Sequence, residues 1–270
     1  MRQKGIFCQK FAMKTRFLSL SIRDLSTAAT YLALTALLTT LPSVAQAITL
    51  VTARSALGGN DQLDWSSLGP AKPFNVLPNS FSATSQGGLD LNVDIPPASP
   101  GFTSPLVFQS SPPPSGIPTN FANGDFALFT GFIPGGFPAV GNPGPITITF
   151  DTPVSGAGAQ IAVDDTAQFT AFISAFDETN TLLGTFEAAG TSSLALDNSA
   201  LFLGVRSDTA NISRVVYRTS VPDRAVAINT LSLVDDSVGV PEPTSAFGVL
   251  AFGTLGAGLA LKRKLKPYKR

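Results

Sequence analysis

Fifteen of the chain's 21 prolines fall between residues 69 and 145, among them Pro96-Pro97 and the run Pro112-Pro113-Pro114. Proline has no backbone donor and its ring clashes with the preceding helical turn, so long helices are excluded there and strands are confined to short pieces between prolines. Two such pieces stand out. In LDLNVDI (Leu89 to Ile95) the apolar Leu89, Leu91, Val93 and Ile95 alternate with Asp90, Asn92 and Asp94, and FALFTGF runs from Phe126 to Phe132. Residues 48–145 are therefore either the Pro/Gly-rich first part of a β body or a partly disordered spacer, and the period-two alternation favours the β body.

From Ile146 onward, short apolar runs recur with turn residues between them. ITITF places Ile146, Ile148 and Phe150 on one face. GAQIAV, QFTAFISAF, TLLGTFE, LFLGVR, ISRVVYRT and AVAINTLSLV follow, punctuated by Asp-Thr-Pro, Asp-Asp-Thr and Asp-Glu-Thr-Asn clusters. Seven strands at this spacing predict an all-β sandwich over 146–236, and twenty phenylalanines supply bulk for two sheets to bury a shared core.

The net charge of zero is a sum over unlike segments. Residues 48–239 carry six basic side chains against sixteen acidic ones, a net of −10. An acidic body is unsuited to nucleic acid, which needs a basic face. The remaining basic groups sit at the two ends. Arg2, Lys4, Lys10, Lys14, Arg16 and Arg23 precede an apolar run from Ala28 to Leu41 and then Pro42-Ser43-Val44-Ala45-Gln46-Ala47. That order predicts a signal peptide over 1–47, with Ala45 and Ala47 as the small residues of the cleavage site. The single cysteine, Cys8, lies within it, so the exported protein is expected to have no disulfide.

At the other end, a linker over 237–245 holds Pro241-Glu242-Pro243. Ala246 to Leu261 follows without a charge, and then Lys262, Arg263 and Lys264 open a basic tail over 262–270. Sixteen helical residues reach roughly 24 Å against a hydrocarbon core of roughly 30 Å. Alone, such a run reads equally as a buried helix. Its four glycines weaken a soluble helix but are tolerated in a membrane, and the basic tail would keep the C-terminus cytoplasmic, so 246–261 is expected to be a single transmembrane helix.

Motif, apolar span and basic tail in this order, opposite a signal peptide, resemble the PEP-CTERM sorting signal of bacterial exported proteins. The resemblance implies that a membrane-embedded exosortase is the partner. It would cut near Pro241-Glu242-Pro243 and pass the body from the inner membrane to the cell surface or extracellular matrix. Each proline pushes its preceding residue out of helical space, which keeps the stretch extended for a processing enzyme. The phrasing of residues 146–236 also looks like the β-sandwich of exported PEP-CTERM proteins, similar in outline to jelly-roll carbohydrate-binding modules. Related domains often end in an Ile-Asp-Asp strand; here Ile228-Asn229-Thr230 stands in that place.

The chain has no histidine, which removes Ser-His-Asp triads and histidine bases or metal ligands. Most hydrolase constellations are thereby removed; a two-carboxylate glycosidase stays as a distant alternative, with Asp164, Asp165, Asp177, Glu178 and Glu187 as its candidates. All lie at or beside turns, where acids ordinarily cap the backbone. The pairs Asp164-Asp165 and Asp235-Asp236 are the metal candidates, and calcium is the ion oxygen ligands would take. Trp65 is either a sugar platform or core. Arg214 and Arg218 share one face of ISRVVYRT, either paired with surface acids or facing an anionic polysaccharide. The reading is an exported, non-enzymatic structural or interaction protein. Its alternative is a calcium-assisted carbohydrate-binding module, and no cofactor other than calcium is implied.

Overall fold

The computed structural model describes residues 47–71, 73–98, 100–135 and 139–237. The apolar signal segment with Ala45, the Pro241-Glu242-Pro243 motif, the apolar run 246–261 and the basic tail lie outside the described residues. Among those described, no helix is long and apolar enough to cross a membrane.

The body is all-β, with two sheets whose strand pairings are antiparallel. The larger sheet runs β1 (Ile48–Val51), β12 (Leu201–Ser207), β9 (Gly156–Val163), β14 (Val226–Ile228), β7 (Phe126–Phe129), β6 (Leu106–Gln109) and β3 (Phe74–Val76). It forks at β9, which also pairs with β15 (Leu231–Val234), itself paired with β2 (Asp61–Leu63). The smaller sheet runs β11 (Leu182–Thr191), β10 (Gln168–Phe176), β13 (Ile212–Thr219), β8 (Ile146–Val154), β5 (Asp90–Asp94) and β4 (Ser80–Thr84). One short helix, α1 (Arg54–Leu57), closes on Gly58 in a left-handed turn at φ 68°.

The Pro-rich first part supplies strands to both sheets, interleaved with those of the second part. Leu91 and Val93 of β5 point inward opposite Phe150 and Ile148 of β8, as their alternation requires. Facing them across the sandwich, Leu128, Ile161, Leu203 and Ile228 complete a single core shared by the two sheets. Trp65, in a 3₁₀ turn after β2, belongs to that core; it is wholly buried and its Nε1–H donates to the Asn229 carbonyl at 2.8 Å. Trp65 is thus no platform for a ligand.

Two boundaries differ from the sequence expectation. Asp151-Thr152-Pro153, expected as a turn ending ITITF, bulges within β8, because Arg214 pairs with Thr149 while Ile212 pairs with Val154. Pro153 sits in the bulge, where it has no ladder bond to donate. AVAINTLSLV is two strands rather than one, broken at Asn229-Thr230 where the partner changes from β7 to β2.

All eight residues of β9 are buried, so the larger sheet is covered on both faces in its middle. The core covers the inner face. On the outer face, α1 covers one end, with Leu57 packed against Phe202, Val51 and Val234. The opposite end carries the feature described next.

Candidate functional site

Strand register builds a depression on the outer face of the larger sheet. Leu106 of β6 lies beside Phe129 of β7, Phe129 beside Ala227 of β14, and Ala227 beside Ala162 of β9. One step along, Phe74 of β3 lies beside Phe108 of β6. The row is bulky on β6 and β7 and small on β14 and β9, and the two alanines leave the hollow between taller neighbours. The phenylalanines lock edge to face, with Phe108 and Phe129 centroids 5.9 Å apart and Phe129 and Phe132 6.2 Å apart.

Three loops raise walls around this floor: 117–120 after β6, 164–167 after β9, and 192–194 after β11. The resulting groove encloses about 610 Å³, within the range of small-ligand sites. Phe74, Ile117 and Leu194 stand at its edge with 44, 40 and 72% of their surface exposed. Among the described residues, polar groups enter from the walls only: Thr119, Asn120, Ser192, Ser193 and the Asp164–Thr166 turn. No lysine or arginine lines the groove among the described residues. Asn120 is fully buried; its Nδ2 donates to the Thr191 carbonyl at 2.8 Å, while its Oδ1 accepts no hydrogen bond.

The sequence-derived acid candidates separate on this frame. Asp164 and Asp165 follow β9 directly and line the groove. Asp164 is exposed as a residue, yet crowding of its carboxyl by protein, and next the charge of Asp165, push its pKa up; Arg224 opposes the shift. Asp235 and Asp236 lie at the other end of β9, beyond the Val234–Gly156 pair, roughly 23 Å away at the rise of a strand. They serve the local turn. Asp235 Oδ1 accepts from Ser237 N and Oγ at 2.8 and 2.7 Å, and Ser155 Oγ donates to Asp236 at 3.1 Å. Neither pair is joined by a third acid, as no cluster of three carboxylates forms among the described residues.

Asp177 and Glu178 cap the far end of the β10–β11 hairpin, a strand's length from Asp164 and Asp165. Asp177 Oδ1 accepts from Thr179 N, Thr179 Oγ1 and Thr181 N, and these bonds hold its pKa down. Glu187 sits mid-strand on β11 opposite Phe172. Counted from Gln168, which follows the Asp164–Asp165 turn, Phe172 is four residues along β10, roughly 13 Å. Glycosidase carboxylates stand about 5 to 9.5 Å apart, so strand geometry does not bring these acids together with Asp164 and Asp165.

Among the described residues, the arginines of β13 form no ion pair with a surface acid. Arg214 stacks its guanidinium on Phe176, 4.1 Å from the ring centre. Among the described residues the one ion pair joins Arg224 to Asp223 at 3.0 Å.

No protein-family model matches the chain, and no curated protein does. Similar solved structures include a DUF4465 family protein from Bacteroides caccae, 12% identical, at a TM-score of 0.32 over 69% of this chain and 99% of that one. CsCBM6-3 from Clostridium stercorarium, in complex with cellobiose, is 11% identical at a TM-score of 0.20 over 70% and 94%. A family 11 carbohydrate-binding module from Clostridium thermocellum, in complex with a β-1,3-1,4-mixed-linked tetrasaccharide, is 10% identical at 0.13 over 66% and 96%. Likeness at these scores aligns no residue with a known site, so the chemistry rests on the side chains themselves.

Sequence reasoning did not find the groove floor or a second polar centre. At the break between β14 and β15, Asn229 Oδ1 accepts from Arg54 Nη2 and the Gln160 amide, both at 2.9 Å. Its Nδ2 donates to Asp125 Oδ2 at 2.8 Å and to Gln160 Oε1 at 2.6 Å. Arg54 also bonds Ser232 Oγ and the Thr230 carbonyl and lies over Phe202, and burial pulls its pKa down. Every partner here is accounted for, which marks the cluster as a clasp holding the sheet fork. The one signal in the sequence was an asparagine standing in an otherwise apolar strand.

Proposed function

We propose that this chain is an exported, non-enzymatic interaction protein of the cell surface or extracellular matrix, jelly-roll-like in its body and sorted by a C-terminal PEP-CTERM signal. The observation that carries the sorting half is the order Pro241-Glu242-Pro243, the uncharged run Ala246 to Leu261, then Lys262-Arg263-Lys264, opposite an N-terminal stretch that is basic, then apolar, then closes on Ala45-Gln46-Ala47. Support for the interaction half comes from the groove, whose apolar, aromatic floor ringed by turns suits a binding surface, and whose acids among the described residues form one adjacent pair with no further carboxylate lining it. An exosortase would release the body from the inner membrane.

The mass of the protein recovered from cell surface and medium tests this. Wild type should start near Ile48 and end near Pro241, while a Pro241→Ala, Glu242→Ala, Pro243→Ala variant stays full-length in the membrane fraction. Wild-type protein that keeps Arg270 in the inner membrane would overturn the sorting reading and leave a plain anchor.

A second reading, calcium-assisted carbohydrate binding, is favoured by Asp164 and Asp165 standing side by side at the groove, where a cation would offset the burial and, next, the Asp165 charge that raise Asp164. Binding on a glycan array that disappears with a chelator and with Asp164→Asn would establish it.

A further inference from the structure

We propose that the groove on the outer face of the larger sheet takes an amphiphile whose apolar body fills the hollow over Ala162 and Ala227 and whose protonated amine end lies against Asp164 and Asp165. This rests on the interaction reading above and deepens it.

Shape comes first. The floor from Leu106 to Ala162 offers no hydrogen-bonding side chain, so a ligand seated there gains by leaving water and needs no polar groups along its length. A sugar would leave its hydroxyls unpaired against phenylalanine and alanine, at a cost of about 1–3 kcal/mol for each one buried. Exposed Phe74, Ile117 and Leu194 extend the same apolar surface to the mouth.

Charge decides the end group. Two adjacent carboxylates line the groove and, among the described residues, no basic residue does. Arg224, whose charge acts on Asp164, is engaged with Asp223. Within a body carrying −10 over residues 48–239, an anionic head is repelled and a cationic one attracted. A protonated amine also brings N–H donors for these carboxylate oxygens, which a quaternary ammonium lacks.

Isothermal titration of the mature protein recovered from cells, below micelle concentrations, decides it. Dodecylammonium should bind once per chain, at least tenfold tighter than dodecyl maltoside, with dodecyl sulfate weaker still. Ala227→Phe fills the hollow and should abolish binding of all three. Should that variant fold poorly, Leu194→Lys, at a largely exposed position, should weaken dodecylammonium and strengthen dodecyl sulfate. Asp164→Asn with Asp165→Asn should bring dodecylammonium to the level of dodecyl maltoside. Equal or tighter binding of dodecyl sulfate, binding that survives Ala227→Phe, or no binding would each overturn the proposal. Cellohexaose or calcium binding in place of the amine would overturn it too, while leaving the interaction reading intact.

Discussion

Asn229 holds five hydrogen bonds through one side chain and one carbonyl, and its partners come from α1, β9, the loop before β7 and the turn that carries Trp65. Truncation to alanine strands the buried Gln160 amide and takes a partner from each of two charged groups. Asn229→Ala should therefore cost about 1–3 kcal/mol, read as a lower urea midpoint with Trp65, the chain's one tryptophan, as the fluorescent reporter. Asn229→Asp should be at least as damaging at neutral pH, because a carboxylate cannot donate to Asp125 or Gln160 and adds a like charge beside Asp125. That damage should ease as pH falls and the new acid protonates. Asp164 follows the same sign by a different route. Its folded pKa is raised, so the folded state holds its proton more tightly, and stability falls as pH rises through the window above the unfolded value near 3.9. Asp164→Asn should thus stabilise slightly at pH 7, by no more than about 0.5 kcal/mol for an exposed site. The difference should vanish below about pH 3, where both states are protonated; a gain that persists there would refute the electrostatic cause.

Elements whose side chains declare one face were readable before any coordinates. QFTAFISAF and ISRVVYRT became β10 and β13 residue for residue, and the alternation of LDLNVDI placed β5. Three- and four-residue strands such as β2, β3 and β6 carry too few positions to show a period, and only pairing with distant partners makes them strands. The groove was illegible for the same reason. Its floor joins Leu106, Phe129, Ala227 and Ala162, neighbours only once the register of four strands is known. Glycines in GAGAQIAV look permissive in sequence but are packing devices in the structure. A Cβ at Gly158 would stand 2.6 Å from the Phe202 ring and 2.9 Å from the Gly204 backbone. Gly158→Ala should push β12 from β9 and cost roughly 1–3 kcal/mol as overpacking, whereas the pair Gly158→Ala with Phe202→Leu should recover part of that loss in the same urea titration.

The whole molecule has a direction. β1 begins where Ile48 meets Ser207, and β15 ends where Val234 meets Gly156, while Ser155 bonds both neighbourhoods: its carbonyl accepts from Ser207 N at 2.8 Å and its amide donates to Val234 O at 2.9 Å. Entry and exit of the described chain therefore share one pole, and the groove occupies the other, past Val163. β15 ends at Val234, before Pro241-Glu242-Pro243 in the sequence, and its pairings with β2 and β9 lie wholly among the described residues. A cut at Pro241-Glu242-Pro243 should accordingly leave the melting temperature of the body within about 1 °C of the uncut protein in detergent, a change below about 0.3 kcal/mol for a domain of this size. A tag or linker fused next to Ile48 or Val234 would therefore join the body at the pole away from the groove and leave the groove's mouth clear.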